Sequence, residues 1–180
     1  MKILIVNGSP RKTGNCSFVI EKLKNKYSDD DITILNLNEM NAKGCQSCYA
    51  CKDNNSFCVV KDDLQNHLKE IIDYDLIILL TPNYYGLMSA QMKLFLDRWF
   101  CLKNNKRITK FTGKTKLFLI VTQGAPNRDH GKKITDWCKH FAESFGLKFY
   151  GYIFPGCQRE STDFVKLKYD DLSMSLNMFI

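Results

Sequence analysis

The sequence has no stretch of about 18 or more apolar residues, the length that a helix needs to cross a lipid bilayer. It also lacks the long apolar segment and small-residue cleavage site of a secretory signal peptide, since its first ten residues, MKILIVNGSP, contain only a short apolar run. These absences predict a cytoplasmic protein with no membrane partner. Thiols stay reduced in the cytoplasm, so we expect clustered cysteines to be ligands or redox groups rather than structural disulfides.

Acidic residues are missing from one part of an otherwise mixed chain. The net charge is +7, and the segment 103–116 holds six basic residues and no acid. Such a run is typical either of a patch for an anionic partner or of a solvated loop. Aromatic residues are not interleaved with these charges as they are in proteins that bind single-stranded nucleic acid. The sequence therefore predicts no nucleic-acid partner.

Apolar strand patterns and amphipathic helix patterns alternate along the chain. Alternation of this kind, with uniformly apolar strands, is typical of a parallel sheet covered on both faces. With 180 residues, 44% of them hydrophobic, we expect one domain over 1–180. The predicted fold is α/β, a three-layer doubly wound flavodoxin-like fold with a five-stranded parallel sheet of order 2-1-3-4-5. The predicted strands are 2–7, 31–37, 75–82, 116–124 and 147–156, and the predicted helices are 14–27, 62–73, 89–102, 130–145 and 161–178.

The loop 7–17, NGSPRKTGNCS, joins the first predicted strand to the first helix. Ligands of doubly wound sheets bind at the carboxyl ends of the strands, so this loop is a candidate site. It matches neither the G-x4-G-K-[ST] nor the G-x-G-x-x-G motif. Its side chains and the N–H groups of the following helix suit a phosphomonoester, although an ordinary polar loop has similar composition. The side-chain donors are Ser9, Arg11, Thr13, Asn15 and Ser17, with Lys12 as a second cation.

Four of the eight cysteines fall in a short segment, 44–58, which follows the second predicted strand as an irregular loop. They are Cys45, Cys48, Cys51 and Cys58, spaced C-x2-C-x2-C-x6-C. A tight loop with C-x2-C-x2-C spacing can turn its three thiolates toward one cluster. Four-cysteine zinc binding, reduced thiols without a metal and a disulfide are the other interpretations. The remaining cysteines Cys101, Cys138 and Cys157 are isolated in sequence, and we expect them to pack as small apolar residues.

Two motifs, GSPRKTGN and TPNYYGLMSAQMKLFLDRW, resemble the NADPH-dependent FMN reductase group of flavodoxin-like proteins. The resemblance covers roughly residues 1–150. It implies that Ser9, Arg11, Asn15, Cys16 and Ser17 bind the phosphate of FMN. Cys16 stands where the family usually has Thr or Ser, so one hydroxyl donor is lost and weaker phosphate binding is expected. A position at a helix N-terminus would also lower the pKa of the Cys16 thiol, but we expect Cys16 to be a packing residue rather than a reactive one.

The resemblance further implies which residues surround the flavin ring. Pro82, Asn83, Tyr84, Tyr85 and Gly86 would wrap the isoalloxazine, and packing of the two tyrosines against a helix or a neighbouring subunit is the alternative. Pro82 is expected to help end the third strand. The loop after the fourth long strand would contact the flavin from the other side, and Gly124 permits a close backbone approach there. The residues implied in that loop are Thr122, Gln123 and Gly124.

The cysteine pattern and the following CVVKDDL resemble the iron–sulfur flavoproteins within this group. That resemblance implies one [4Fe–4S] cluster on Cys45, Cys48, Cys51 and Cys58, which exchanges electrons with FMN. It implies an oxidoreductase that uses small-molecule or protein electron donors and acceptors, NAD(P)H among them, and that forms a homodimer or homotetramer. A cluster-free NAD(P)H-dependent FMN or quinone reductase and a flavodoxin-type electron carrier are the alternatives. None of the three histidines is placed as an acid–base catalyst, which suits chemistry carried by a cofactor.

Overall fold

The computed structural model describes all residues, 1–180. Six strands and six α-helices follow one another, with 3-10 turns at Ile71–Asp73 and Arg98–Leu102. The strands are β1 (Lys2–Asn7), β2 (Asp31–Asn36), β3 (Leu76–Tyr84), β4 (Leu87–Met88), β5 (Lys116–Thr122) and β6 (Lys148–Phe154). The helices are α1 (Asn15–Lys26), α2 (Ala50–Asp53), α3 (Leu64–Glu70), α4 (Ala90–Asp97), α5 (Asp129–Glu143) and α6 (Asp163–Phe179).

The five long strands pair in the order β2-β1-β3-β5-β6, and every pair among them is parallel. The predicted doubly wound fold and the order of its five long strands are therefore confirmed. The sheet differs from the prediction by a sixth strand, since the short β4 pairs antiparallel with the end of β3. The segment 44–58 also differs, because it contains the short helix α2.

The prediction that Pro82 ends the third strand was wrong. Pro82 lies opposite Thr122 of β5, and β3 continues to Tyr84. The carbonyl of Leu80 accepts a hydrogen bond from Gly8 at the end of β1. Pro82 lies two residues further on and presents its backbone toward the same side, where β1 has already ended. The missing N–H of proline therefore costs the sheet no ladder bond.

The sheet is covered on both faces because successive side chains of a strand point to opposite sides. Ile3 and Ile5 of β1 pack on the face covered by α1 and α6, whereas Leu4 and Val6 pack on the face covered by α3, α4 and α5. All four side chains are buried. Buried apolar surface on both faces is the main source of stability for such a fold. No helix is long and apolar enough to span a membrane.

Candidate functional site

One cleft brings together most of the residues that were predicted to bind FMN. It lies at the carboxyl edge of the sheet, between the loop that follows β1, the end of β3 and the loops that follow β5 and β6. The predicted residues that line it are Ser9, Arg11, Asn15, Cys16, Pro82, Asn83, Tyr84, Thr122, Gln123 and Gly124. Three loops far apart in sequence thus converge as the doubly wound topology requires.

Thr13, Ser17, Tyr85 and Gly86 are not among the residues lining this cleft. The Ser17 hydroxyl donates to the Lys12 carbonyl at 2.9 Å, and both residues line a neighbouring groove. Tyr85 and Gly86 line an adjoining hollow that shares Asn83, Gln123 and Gly124 with the cleft.

Tyr85 and Gly86 form the two-residue turn between β3 and β4. Their φ angles are +53° and +83°, as a type I′ hairpin turn requires at both central positions. The Asn83 side chain accepts a hydrogen bond from the Gly86 N–H at 2.8 Å and so fixes the turn. Tyr85 is fully exposed at the tip, and Leu87 beside it is also exposed.

The loop after β1 is held against the start of α4 by Ser89. The Ser89 hydroxyl donates to the Gly8 carbonyl at 2.6 Å and caps α4 by accepting from the Met92 N–H. The Ser89 N–H in turn donates to the Thr81 hydroxyl at 3.0 Å. A Cβ at Gly8 would lie 2.9 Å from the Met92 Cβ, so only glycine permits this approach. The first and third loops of the cleft therefore share one rigid support.

Asn83 and Gln123 join the third loop to the loop after β5. The Asn83 amide donates to the Gln123 side-chain oxygen at 3.1 Å, and both residues line the cleft. The Gln123 backbone is also paired, with its N–H on the Phe154 carbonyl at 3.0 Å and its carbonyl on the Cys157 N–H at 2.8 Å. This wall of the cleft is therefore ordered before any ligand binds.

Cys16 is buried and its sulfur lies 3.5 Å from the Thr122 hydroxyl oxygen. Burial raises the pKa of the Cys16 thiol to about 11, although the hydrogen bond with Thr122 acts in the opposite direction. The expected lowering of this pKa by the helix N-terminus is therefore wrong. Removal of the thiolate from water outweighs the favourable position, and the residue is a neutral packing group.

The loop after β6 contributes three cleft residues that sequence reasoning missed, Cys157, Gln158 and Arg159. The Asn15 amide donates to the Gln158 carbonyl at 3.0 Å, and the Arg11 guanidinium lies 3.4 Å from the Arg159 carbonyl oxygen. The signal was present, because the polar run GCQRES follows the last predicted strand at the same edge of the sheet.

The cleft has the chemistry that an anionic, hydroxyl-bearing ligand needs. Arg11 supplies positive charge without an acidic partner, and Arg159 supplies a second charge, which pairs at 3.0 Å with the adjacent Glu160. The side-chain oxygen of Asn15 is buried without a hydrogen-bond partner, so it is free to accept from a ligand hydroxyl. The residues present therefore fit a phosphate-bearing polyol such as the side chain of FMN.

The four clustered cysteines line a single small cavity, which we call the cysteine cavity. Cys51 is buried on α2, Cys58 is half-buried, and Cys45 and Cys48 are exposed. Cys101, which sequence spacing had set apart, is buried and lines the same cavity. No three His, Cys, Asp or Glu side chains are arranged closely enough to form a metal-ligand group. The cysteine sulfurs thus line one cavity, but they are not arranged as metal ligands.

The two ends of the cysteine loop are fastened by Arg98, which also lines the cysteine cavity. Its guanidinium donates to the Lys43 carbonyl at 2.7 Å, just before the first cysteine, and to the Val60 carbonyl at 3.4 Å, just after the last. Its Nε is buried and has no hydrogen-bond partner. An unpaired donor beside a group of thiols suits an anionic occupant of the cavity. The cysteine cavity shares no lining residue with the cleft.

Comparison with known proteins identifies the family. The model of the NADPH-dependent FMN reductase family matches residues 1–146. An iron-sulfur flavoprotein from Methanosarcina thermophila is 32% identical over 146 residues, which cover 76% of this chain and 72% of the relative. An iron-sulfur flavoprotein from Methanocaldococcus jannaschii is 33% identical over 100 residues, 54% of this chain, and the match spans about half of that relative, 51%.

A solved structure agrees with the fold. The NAD(P)H:quinone oxidoreductase from Methanothermobacter marburgensis superposes with a TM-score of 0.75 at 14% identity, over 93% of this chain and 89% of the other. The family match, the relatives and the converging loops all support the resemblance that the two sequence motifs indicated. The chain belongs to the NADPH-dependent FMN reductase family.

Proposed function

We propose that this chain is an FMN-dependent oxidoreductase of the iron–sulfur flavoprotein type. The observation that carries the proposal is the convergence of the loop after β1, the end of β3 and the loop after β5 on one cleft at the carboxyl edge of the sheet. Family membership makes FMN the expected occupant. FMN, when bound, supplies hydride and single-electron transfer, and the protein binds and orients it.

The chain's own residues then have distinct roles. Arg11 and the backbone N–H groups at the start of α1 hold the phosphate, since helix N-termini and guanidinium groups both favour anions. Asn15 accepts from a ribityl hydroxyl through its unpaired oxygen. Asn83 and Tyr84 form one wall against the ring. Thr122 at the end of β5, with Gln123 and Gly124 after it, closes the opposite side.

The proposed second cofactor is a [4Fe–4S] cluster held by Cys45, Cys48, Cys51 and Cys58. Its support is the thiol donor set that lines one cavity, the buried Arg98 donor beside it, and the names of two relatives. Such a cluster supplies one-electron transfer. The proposed chain of electron carriers runs from a reduced donor such as NAD(P)H to a protein or small-molecule acceptor.

A second candidate function is a cluster-free NAD(P)H-dependent reductase of FMN or quinones. The observation that favours it is the absence of any three-ligand group among the cysteines. A flavodoxin-type carrier is a third candidate, which steady-state NAD(P)H oxidation with a small acceptor distinguishes from both enzymes.

We further propose a homodimer or homotetramer, because exposed Tyr84, Tyr85 and Leu87 form an apolar hairpin tip.

The proposal is tested on protein purified without oxygen, by ultraviolet–visible spectroscopy with iron and sulfide analysis. We expect a flavin spectrum over a broad shoulder and about four irons per chain. Cys48→Ser should lose iron and keep FMN, whereas Cys138→Ser, which changes a buried thiol of α5 outside the cavity, should keep both. A flavin spectrum without iron in the unaltered protein would favour the cluster-free reductase. Absence of FMN would overturn both.

A further inference from the structure

A separate cavity of about 490 Å³ lies beside the cysteine cavity and shares no residue with the FMN cleft. We call it the basic cavity; α2, the end of α4, residues 103–107 and the end of α5 form it. Tyr49 and Phe100 line both the basic and the cysteine cavities, with their rings edge to face at 5.5 Å. The volume falls within the range of small-molecule sites.

Aromatic side chains supply the apolar walls of the basic cavity. Phe141 on α5 and Phe145, two residues beyond the end of α5, line it together with Phe100 and Tyr49. Rings in such positions favour a flat, apolar ligand, because aromatic groups contribute a large contact area with little conformational freedom to lose. The walls therefore select for a planar molecule.

Three cations, Lys52, Lys103 and Arg107, line the same cavity. The Lys52 ammonium lies 4.0 Å from the Phe100 ring centroid and donates to the Phe100 carbonyl at 2.5 Å and to the Lys103 carbonyl. An ammonium has three donors, so one remains for a ligand. The Lys103 ammonium lies 4.3 Å from the Phe145 ring centroid. Both lysines are therefore held in place beside the aromatic walls.

None of these three cations has an acidic partner. The ion pairs of the chain involve other residues, and Asp97, one of two acids at the cavity, is paired with Lys93 at 2.6 Å. The other acid, Asp53, is exposed. Burial first, then neighbouring positive charge, lowers the pKa of Lys103. A bound anion would relieve the repulsion among these cations, so the basic cavity favours a negatively charged ligand.

The basic segment 103–116 is ordered where it meets the basic cavity. Lys103 bridges to Thr109, and the Asn104 backbone exchanges hydrogen bonds with Arg107 and Ile108. Arg107 holds a φ of +60°, a left-handed conformation that is uncommon outside glycine. The beginning of the segment 103–116 is thus a fixed turn that carries charge to a cavity, and it is not merely a solvated loop.

We propose that the basic cavity is a binding site for a small planar aromatic anion, with its carboxylate or equivalent group on Lys103 and Arg107 and its ring against the phenylalanines. The site is separate from the FMN cleft, so it stands whether or not the proposed function holds. A ligand bound there would contact Tyr49 and Phe100, the two residues that also wall the cysteine cavity.

The test is calorimetric titration of the protein, purified with whatever cofactors it carries, with 2-naphthoate and with its uncharged analogue 2-naphthamide. We expect one saturable site for the acid and at least tenfold weaker binding of the amide. The double variant Lys103→Gln/Arg107→Gln should weaken naphthoate binding at least tenfold and leave amide binding unchanged. The matched control, Lys106→Gln/Lys114→Gln, removes two charges of the same segment that do not line the cavity and should bind as the unaltered protein does.

A cavity-filling variant keeps the test decisive if the charge variant does not fold. Ser144→Trp, at an exposed end of the cavity, keeps every cation and should abolish naphthoate binding while flavin content stays constant. Equal binding of acid and amide, equal loss in both double variants, or naphthoate binding that survives Ser144→Trp would overturn the proposal. Naphthoate binding that shifts the flavin absorbance and is unchanged in Lys103→Gln/Arg107→Gln would place the ligand at the FMN cleft. That result would also overturn the proposal.

Discussion

The guanidinium of Arg98 and the carboxylate of Asp62 form an ion pair at 2.5 Å, and both side chains are shielded from solvent. Asp62 also accepts hydrogen bonds from the Lys43 N–H at 2.9 Å and the Leu64 N–H at 3.2 Å. The pair therefore ties the start of the cysteine loop, its end and the first turn of α3 into one network. Buried charges are tolerated only when they are paired and hydrogen-bonded in this way.

Removal of one charge of this pair should destabilise the fold, because the other charge is then buried without a partner. We predict that Asp62→Asn lowers the free energy of unfolding by about 3–5 kcal/mol, because it leaves the Arg98 charge buried and unpaired. The matched control is Asp97→Asn, which breaks the exposed Lys93–Asp97 pair at a similar distance and should cost less than about 1 kcal/mol. Urea unfolding followed by circular dichroism measures both. Equal losses in the two variants would refute the structural role of the buried pair.

The same pair predicts how stability depends on pH. Burial acts to raise the pKa of Asp62, but the hydrogen bonds from Arg98 and Lys43 outweigh it, and the pKa is lowered from 3.8. A lowered folded-state pKa gives stability that is complete above the unfolded value and is lost as pH falls through the folded value. The free energy of unfolding of Asp62→Asn should therefore fall short of that of the unaltered protein by a constant amount above about pH 5. This difference should begin to narrow near the unfolded pKa of about 4 and should close only below the lowered folded pKa. A gap that persists in acid contradicts this assignment.

Arg11 should contribute to FMN affinity in a way that its neighbour does not. Arg11→Ala removes a charge-assisted hydrogen bond worth about 1.5–3 kcal/mol, so FMN should dissociate at least about tenfold more readily. Lys12→Ala removes the same charge from a residue that lines the adjacent groove, and its effect should stay within about twofold. Fluorescence of released FMN measures both dissociation constants. Equal weakening would show that general charge, and not Arg11 itself, holds the phosphate.

The thiols should separate into reactive and inert groups. In protein treated with an iron chelator, the exposed Cys45 and Cys48 should be alkylated first by iodoacetamide at pH 8. Cys16, with a pKa of about 11, and Cys138, with a pKa of about 12, stay protonated there because burial disfavours the thiolate. Peptide mass spectrometry at timed intervals ranks the sites. Early modification of Cys16 would show that its pKa is lowered after all.

The strand order and the position of the cleft followed from the sequence because both depend on local pattern. Uniformly apolar runs such as 76–80 indicate buried parallel strands, and the ligand loops then lie at one known edge of the sheet. Ser9, Asn83 and Gln123 reach the same cleft for that reason. Ser17 lies near the same edge of the sheet, yet its hydroxyl donates to the Lys12 carbonyl, a contact that the sequence does not predict.

Tertiary contacts produced the features that sequence reasoning did not foresee. Cys101 joins the cysteine cavity because the 3-10 turn after α4 packs against that loop, although no spacing links the two segments. The β3–β4 hairpin depends on a left-handed tyrosine, whereas Gly or Asn is the usual signal for such a turn. The pKa of Cys16 was misjudged because burial, which outweighs the helix N-terminus, is a property of the folded core.

The helix α4 has a consequence for how this protein can vary through evolution. Ser89 at its start supports the FMN cleft, and Arg98 just beyond its end fastens the cysteine loop. Insertion of one residue between them would rotate Arg98 by about 100° and move it about 1.5 Å along the axis. We therefore expect selection to remove insertions and deletions between Ser89 and Arg98 in descendants that keep both sites. Point substitutions on the exposed face of α4 should be tolerated.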